Sequence, residues 1–359
     1  MTNSLKPVKV ELNMTKPLKE IIQGLLKDLS PRQKDILEGR FGLKGGKTTL
    51  AFLGEKNGLT RERVRQIEND ALGLVRKQII KEKEVEKIIQ TVNVFLKNLG
   101  GVRREDVFVN DFRGLINDTN VTAEQISFLF AVLKNPLYHS EDNTAYGFWY
   151  TDKLILKKAI GLAGKFETLI SKKKEDLITK RNIDVFIKQI TKPLKITDFV
   201  FSNYLSVSKR FDVNPYGDFG LISWEEILPK TIRAKAYLVA KKSGQPLHFK
   251  KIAELINDMN FDKRKAHYQT VHNELIKDPR FVLVGRGMYG LTEFGYQPGT
   301  AKDVLSSILK KHGPLASKQI MDLVSQQRLL KENTISINLN NKKYFRKLKD
   351  GRYHLVEKA

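Results

Sequence analysis

The sequence predicts a mainly α fold with small β-hairpins, in which an all-helical helix-turn-helix domain is followed by tandem winged-helix domains. Three observations predict it. Residues 16–82 carry helical periodicity throughout, an aromatic hairpin pattern recurs four times at domain-sized intervals, and helical stretches precede the later recurrences. The implied division is an N-terminal tail at 1–15, a helix-turn-helix module at 16–82, and winged-helix-like units at 83–152, 153–230, 231–296 and 297–359.

Within the first module, apolar spacing predicts helices over Leu18 to Leu29, Pro31 to Arg40 and Thr49 to Lys56. Ser30-Pro31 separates the first two, because serine caps a helix start and proline fits its first turn. The Gly42 to Lys47 loop separates the next two. That loop mimics a phosphate-binding loop, yet it has three residues between glycine and Gly46-Lys47 where the motif needs four, and it lies between helices. Thr60 then caps a long helix. Its buried stripe is expected to be Val64, Ile67, Ala71 and Leu74.

The repeat consists of an aromatic residue, a second aromatic eight positions on, and an apolar residue two further. It occurs as Tyr138/Tyr146/Phe148, Phe211/Phe219/Leu221, Phe281/Tyr289/Leu291 and Phe345/Tyr353/Leu355, at intervals of 73, 70 and 64 residues. Turn formers such as Gly285, Gly287 and Asp350-Gly351 interrupt each set, so each reads as two short strands whose alternation puts the three residues on one face. In the third unit, helices are expected from Ala236 to Ala240, Phe249 to Met259 and Arg264 to Ile276. In the fourth they are expected over Val304 to Lys311 and Ile320 to Val324. Three helices and a two-stranded wing make a winged helix.

The chain has 359 residues, with 64 Lys+Arg against 40 Asp+Glu, a formal net charge of +24. That favours polyanionic partners, above all nucleic acid. The charge is uneven: residues 101–150 carry four basic against seven acidic side chains, a net −3. No cysteine is present, which removes disulfides, cysteine nucleophiles and thiolate metal sites, and six scattered His offer no His-x-x-x-His pair. No apolar run approaches the roughly 20 residues that span a bilayer, and Met1 to Val10 has no continuous apolar stretch. The neighbouring carboxylates Glu141-Asp142 and Glu225-Glu226 read as solvated rather than as an acid/base pair, and Lys172-Lys173-Lys174 as a solvated face. A non-enzymatic protein without metal, cofactor, membrane attachment or an evident small-molecule ligand is expected.

The informative string is Thr60-Arg61-Glu62-Arg63-Val64-Arg65-Gln66-Ile67-Glu68. Arg61, Glu62, Arg65, Gln66 and Asn69 share the face opposite the apolar stripe. Arginine forks onto guanine, glutamate accepts from cytosine N4 and glutamine pairs with adenine, so such a face can read a major-groove edge. Together with Leu29-Ser30-Pro31-Arg32, Ile36-Leu37, Arg40-Phe41-Gly42-Leu43, Thr49-Leu50, Gly54, Leu59 and Ala71-Leu72, the string resembles region four of the primary sigma factors of the sigma-70 family. The resemblance implies a helix-turn-helix reading the promoter −35 element in double-stranded DNA. Carried over by position, Arg61, Glu62, Arg65 and Gln66 face bases, while Arg40, Thr60 and Arg63 hold phosphates. It also implies engagement of the bacterial RNA polymerase core at its flap, in the cytoplasm and on the nucleoid. Ala51 and Phe52 stand where the family has acidic residues, and Phe52 is expected to pack against a neighbouring module. The family's −10-melting region has no counterpart in its usual N-terminal place, so melting by this chain alone is not implied.

Ala236-Tyr237-Leu238, Gly244-Gln245-Pro246-Leu247-His248-Phe249-Lys250, Asp278-Pro279-Arg280-Phe281 and Tyr289-Gly290-Leu291 resemble the HARE-type helix-turn-helix domain, a winged helix found in the delta subunit of bacterial RNA polymerase. Lys263, Arg264 and Lys265 at the start of its third helix, Arg286 in its wing, and Lys347, Lys349 and Arg352 in the last wing are possible secondary nucleic-acid contacts. Winged helices bind proteins as readily as DNA, so a delta-like accessory that reads no DNA is the alternative.

Overall fold

Helix starts follow from local chemistry that the sequence displays openly. In the computed structural model, which describes residues 12, 14–325, 328 and 330–356, the Ser30 hydroxyl accepts from the Gln33 backbone N–H while the Gln33 side chain accepts from the Ser30 N–H. The predicted tail 1–15, Met1 to Val10 included, lies outside the described residues apart from positions 12, 14 and 15. Helices α1 (Leu18–Leu25), α2 (Pro31–Phe41), α3 (Leu50–Asn57) and α4 (Arg61–Ile79) build the first module. Thr49 and Thr60 cap α3 and α4 through their hydroxyls. Gly42 and Gly58 end α2 and α3 in the left-handed conformation, at φ 70° and 63°.

The chain divides into two units at Phe211/Asp212. In the first unit, α5 (Lys83–Asn98), β1 (Val102–Arg104), α6 (Glu105–Leu115), α7 (Ala123–Leu133), β2 (Leu137–His139) and β3 (Phe148–Tyr150) follow the first module. The strands order as β1-β3-β2, all antiparallel. One apolar core runs from Leu18, Leu37 and Ala71 through Phe108, Phe112 and Phe130 to Trp149. Next come α8 (Lys153–Ile170), α9 (Lys174–Ile178), α10 (Ile183–Leu194) and α11 (Asp198–Ser206). Here α11 is tied to the preceding segment: Tyr204 donates to the Gly100 carbonyl at 2.8 Å and Asn203 accepts from Arg103 at 2.9 Å.

β4 (Phe211–Val213) and β5 (Phe219–Leu221) make the second aromatic hairpin. The second unit continues with α12 (Ile232–Ser243), β6 (Leu247–His248), α13 (Phe249–Met259), α14 (Tyr268–Lys277), β7 (Phe281–Gly285) and β8 (Met288–Leu291), the strands ordered β6-β8-β7. It ends with α15 (Ala301–His312), α16 (Ser317–Ser325), α17 (Glu332–Leu339), β9 (Phe345–Lys347) and β10 (Tyr353–Leu355). The fold is thus mainly helical with small antiparallel hairpins.

The hairpin pattern has a definite register where it is strictest. Phe281 faces Leu291 and Phe345 faces Leu355, so the first aromatic and the last apolar residue of the pattern are cross-strand partners. Both pairs contribute to their cores, with Phe345 1% exposed. The first set departs: Tyr138 faces Trp149 rather than Phe148, and Tyr146 lies before β3. A shift of one residue turns a side chain to the other face, which leaves Tyr138 39% exposed while Trp149 is buried.

Three further expectations change. Leu74 is 43% exposed, and the stripe of α4 continues through Val75 and Ile79, because the turn of 3.6 residues carries the buried face past position 74. Phe52 is 55% exposed on α3 rather than packed. The third helix of the 231–296 segment begins at Tyr268, not Arg264. Asn257 holds the preceding residues extended by accepting from the Ala266 N–H at 2.7 Å and donating to its carbonyl at 3.1 Å.

Candidate nucleic-acid interface

The residues predicted to contact DNA are carried by a small independent core. Ile36 of α2, Leu53 of α3 and Val64 of α4 are buried together, with Leu50, Leu59 and Ile67 against them. Gly54 permits this approach. A Cβ there would lie 2.6 Å from the Leu59 carbonyl oxygen, while the Leu59 N–H donates to the Gly54 carbonyl at 2.8 Å. The turn Gly58-Leu59-Thr60 therefore closes tightly, and α4 leaves it with its first turns in solvent.

On that exposed face the structure brings Arg61, Glu62, Arg65 and Gln66 together, all at least partly open to solvent. Arg65 donates to both Glu62 oxygens, from Nε at 2.9 Å and from Nη2 at 2.6 Å. The Arg65 hydrogen bond holds the Glu62 carboxyl below the ordinary carboxylate range, and the same bond raises the Arg65 guanidinium. Arg63 donates to the Gln66 side-chain oxygen at 3.1 Å. Arg61 makes no hydrogen bond or ion pair among the described residues. The face thus offers one uncommitted guanidinium beside two i,i+3 pairs. Each pair leaves donors and acceptors in a fixed array along about two helical turns.

The three residues predicted to hold phosphates are placed differently from one another. Thr60 is exposed, and its hydroxyl oxygen accepts from the Arg63 N–H at 3.2 Å, so its own proton is left to donate outward. Arg63 is exposed. Arg40 is half-buried: its Nε meets Glu68 at 3.3 Å and its Nη1 donates to the Thr48 carbonyl at 2.8 Å. That guanidinium braces the end of α2 against α4 and the loop before α3, which leaves its Nη2 group uncommitted. The partnership with Glu68 spans 28 positions and has no local sequence signal. A second brace joins Lys56 to Asp35 at 2.6 Å, and that hydrogen bond holds the Asp35 carboxyl low. The Gly42 to Lys47 loop lies between α2 and α3, not after a strand.

The secondary basic residues fall on loops and wings. Lys263, Arg264 and Lys265 are exposed in the extended segment before α14, and Arg286 is exposed at the tip of the β7–β8 turn. Lys347 lies on β9 with its ammonium 5.7 Å from the Tyr353 ring centre, Lys349 lies in the β9–β10 turn, and Arg352 pairs with Asp350 at 2.6 Å. Among the described residues no group of three His, Asp or Glu could hold a metal ion. No helix among them is long and apolar enough to cross a membrane. The carboxylates Glu141 and Asp142 are both engaged, Glu141 with Lys209 at 2.5 Å and Asp142 as acceptor for the backbone N–H groups of Thr144 and Ala145.

Comparison with known proteins agrees with this geometry. The family model "Sigma-70, region 4" matches residues 25–77, from the end of α1 through most of α4. The HARE-HTH model, described as a restriction endonuclease HTH domain, matches residues 230–294, from α12 through β8. The RNA polymerase sigma-B factor of Nostoc sp. is 49% identical over 57 residues, 16% of this chain and 17% of that protein. The RNA polymerase sigma factor SigA1 of Synechococcus elongatus is 47% identical over 60 residues, 16% of this chain and 15% of that protein. The RNA polymerase sigma-C factor of Nostoc sp. is 45% identical over 67 residues, 18% of this chain and 16% of that protein. The chain therefore spans about one-sixth of the length of these relatives. No solved structure matches it. The chain combines a sigma-70 region 4 helix-turn-helix with a HARE-type helix-turn-helix domain.

Proposed function

We propose that the protein is a sequence-specific DNA-binding transcription factor whose α4 enters the major groove of a promoter element like the −35 sequence. The observation that carries this reading is the face of α4. Its first turns present Arg61, Glu62, Arg65 and Gln66 to solvent in a fixed array while Val64 anchors the opposite side. Recognition helices contact bases from their N-terminal turns. Arg61 and Arg65 suit guanine, Glu62 suits cytosine N4 and Gln66 suits adenine. Thr60, Arg63 and the free Nη2 of Arg40 suit flanking phosphates, which position the helix without specifying sequence. Lys263, Arg264, Lys265, Arg286, Lys347, Lys349 and Arg352 add phosphate affinity from the second unit.

The protein acts, on this reading, with the bacterial RNA polymerase core at its flap, in initiation or its regulation, in the cytoplasm and on the nucleoid. The curated relatives are named as RNA polymerase sigma factors, and that supports the polymerase as partner. Selection from a randomised duplex library tests the base-reading claim: the wild-type chain yields a motif, and Glu62→Ala and Arg65→Ala each relax it at one position. A library from which no motif emerges rejects it.

A second reading is favoured by exposed Phe52 and by the HARE-type match: a polymerase-bound accessory of the delta kind that reads no DNA. Polymerase capture that survives Arg65→Ala but fails with Phe52→Ala, without any selected motif, favours it.

A further inference from the structure

The first unit holds a cavity of about 530 Å³ that the reading of α4 leaves unused. It is walled by Phe41 of α2, Phe130 of α7, Tyr138 of β2 and Trp149 of β3. The rings pack on one another. Tyr138 and Trp149 lie 4.7 Å apart between centres, and Phe130 meets Trp149 edge-on at 5.3 Å. The Tyr138 hydroxyl donates to Oε2 of Glu105 at 2.5 Å, which fixes the ring while 39% of the residue remains in solvent. Glu105 also lines the cavity, and its Oε1 makes no hydrogen bond among the described residues. The indole N–H of Trp149, a residue 3% exposed, is buried without a hydrogen-bond partner.

Cations stand at the same cavity. Lys47 and Lys134 line it and make no ion pair among the described residues, in contrast to Arg40, which is spent on Glu68 and Thr48. The volume lies within the roughly 300–1,000 Å³ range of small-ligand sites. An aromatic wall beside free ammonium groups is the arrangement by which proteins stack a base and hold its phosphate. A carboxylate oxygen in the wall adds an acceptor for an exocyclic amino group, the feature that adenine, cytosine and guanine carry and thymine lacks.

We infer that this cavity binds a nucleotide. The base stacks on Tyr138 within the aromatic wall, Glu105 accepts from its amino group, and Lys47 and Lys134 take the phosphate. The base must be unpaired, because a paired base keeps its faces stacked and its amino group occupied. Two sources supply such a group: a free mononucleotide, or an unpaired nucleotide of single-stranded DNA. The site uses none of the base-facing residues of α4, so it stands whether or not α4 reads sequence.

The test follows tryptophan emission of the full chain in a Trp224→Phe background, which leaves Trp149 as the reporter. Deoxyadenylate, thymidylate, and short oligodeoxyadenylate and oligothymidylate strands are titrated in turn. Saturable quenching by the adenine compounds, at least tenfold weaker with thymine, is expected. Tyr138→Ala and Lys134→Gln should each weaken it at least tenfold with an unchanged melting temperature, and Arg65→Ala should leave it as it is. Quenching by the mononucleotide as strong as by the strand assigns the free nucleotide as source; quenching by the strand alone assigns single-stranded DNA. Absence of quenching by both adenine compounds, equal quenching by thymine, or quenching indifferent to Tyr138→Ala and Lys134→Gln overturns the proposal. Loss of quenching in Arg65→Ala would mean that α4, not the cavity, is the site.

Discussion

Arg65 closes onto Glu62 with its Nε and Nη2 at 2.9 and 2.6 Å from the two carboxylate oxygens, one helical turn apart on the exposed side of α4. The pair does two things at once. It holds both side chains in a single forked arrangement, and it leaves the outer Arg65 N–H groups and one Glu62 lone pair facing solvent. Because both groups are exposed, the pair contributes little to folding. Arg65→Ala is therefore expected to leave thermal unfolding unchanged while altering DNA binding, which separates a reading role from a structural one.

Arg63 should behave differently from Arg65. As a phosphate contact it adds affinity without sequence information. Arg63→Ala is expected to weaken binding by a similar factor on every duplex and to lower the slope of log K against log salt by about one. Titrations at three salt concentrations on a selected and a scrambled duplex measure both quantities.

Gly54→Ala tests the tight turn. Its Cβ would meet the Leu59 carbonyl oxygen at 2.6 Å, a backbone atom that cannot swing aside. Overpacking of this kind costs about 1–3 kcal/mol. Lower thermal stability with weakened DNA binding is expected. Gly45→Ala, where a Cβ meets nothing within 4 Å, serves as the control that changes neither.

In the second unit Lys242 reaches Asp218 at 2.6 Å, and the Asp218 side chain is fully buried. Asn214 donates to the same carboxylate at 2.9 Å. Removing the lysine strands a buried charge, which costs about 3 kcal/mol. Lys242→Ala should lower the denaturation midpoint accordingly, and Lys242→Ala with Asp218→Asn should recover part of the loss.

Asp142 gives a pH signature. The backbone N–H of Thr144, then its hydroxyl and the N–H of Ala145, hold the Asp142 carboxyl far below the ordinary value of 3.8. A depressed folded value means stability that is present above the unfolded value and lost as pH falls toward the folded one. The difference in melting temperature between wild type and Asp142→Ala should therefore be constant from neutral pH down to about 4 and shrink below it.

Much of the first module is readable from the sequence because its determinants are local. Ser30 with Pro31 and Gln33, Thr49, Thr60 and the glycines at 42 and 58 each act on the helix end beside them. The observed α2, α3 and α4 begin where those residues predict. The misplaced residues are those whose environment is set at a distance. Leu74 loses to Val75 because the long helix turns its buried face gradually, and Phe52 lies exposed where packing was expected. The start of α14 shifts because Asn257, nine positions away from Ala266, holds the chain extended. Glu68 finds Arg40 across 28 positions. The cavity has no sequence signal of its own, since its walls come from α2, α6, α7, β2 and β3. The aromatic run Phe148-Trp149-Tyr150 is its one visible trace.

Base reading by α4 is the central claim, and selection from a randomised duplex library tests it most directly. The wild-type chain should enrich one motif, and Glu62→Ala and Arg65→Ala should each relax that motif at a single position while Arg63→Ala leaves its letters intact. Enrichment of no motif, or of the same motif by all three variants, contradicts the account.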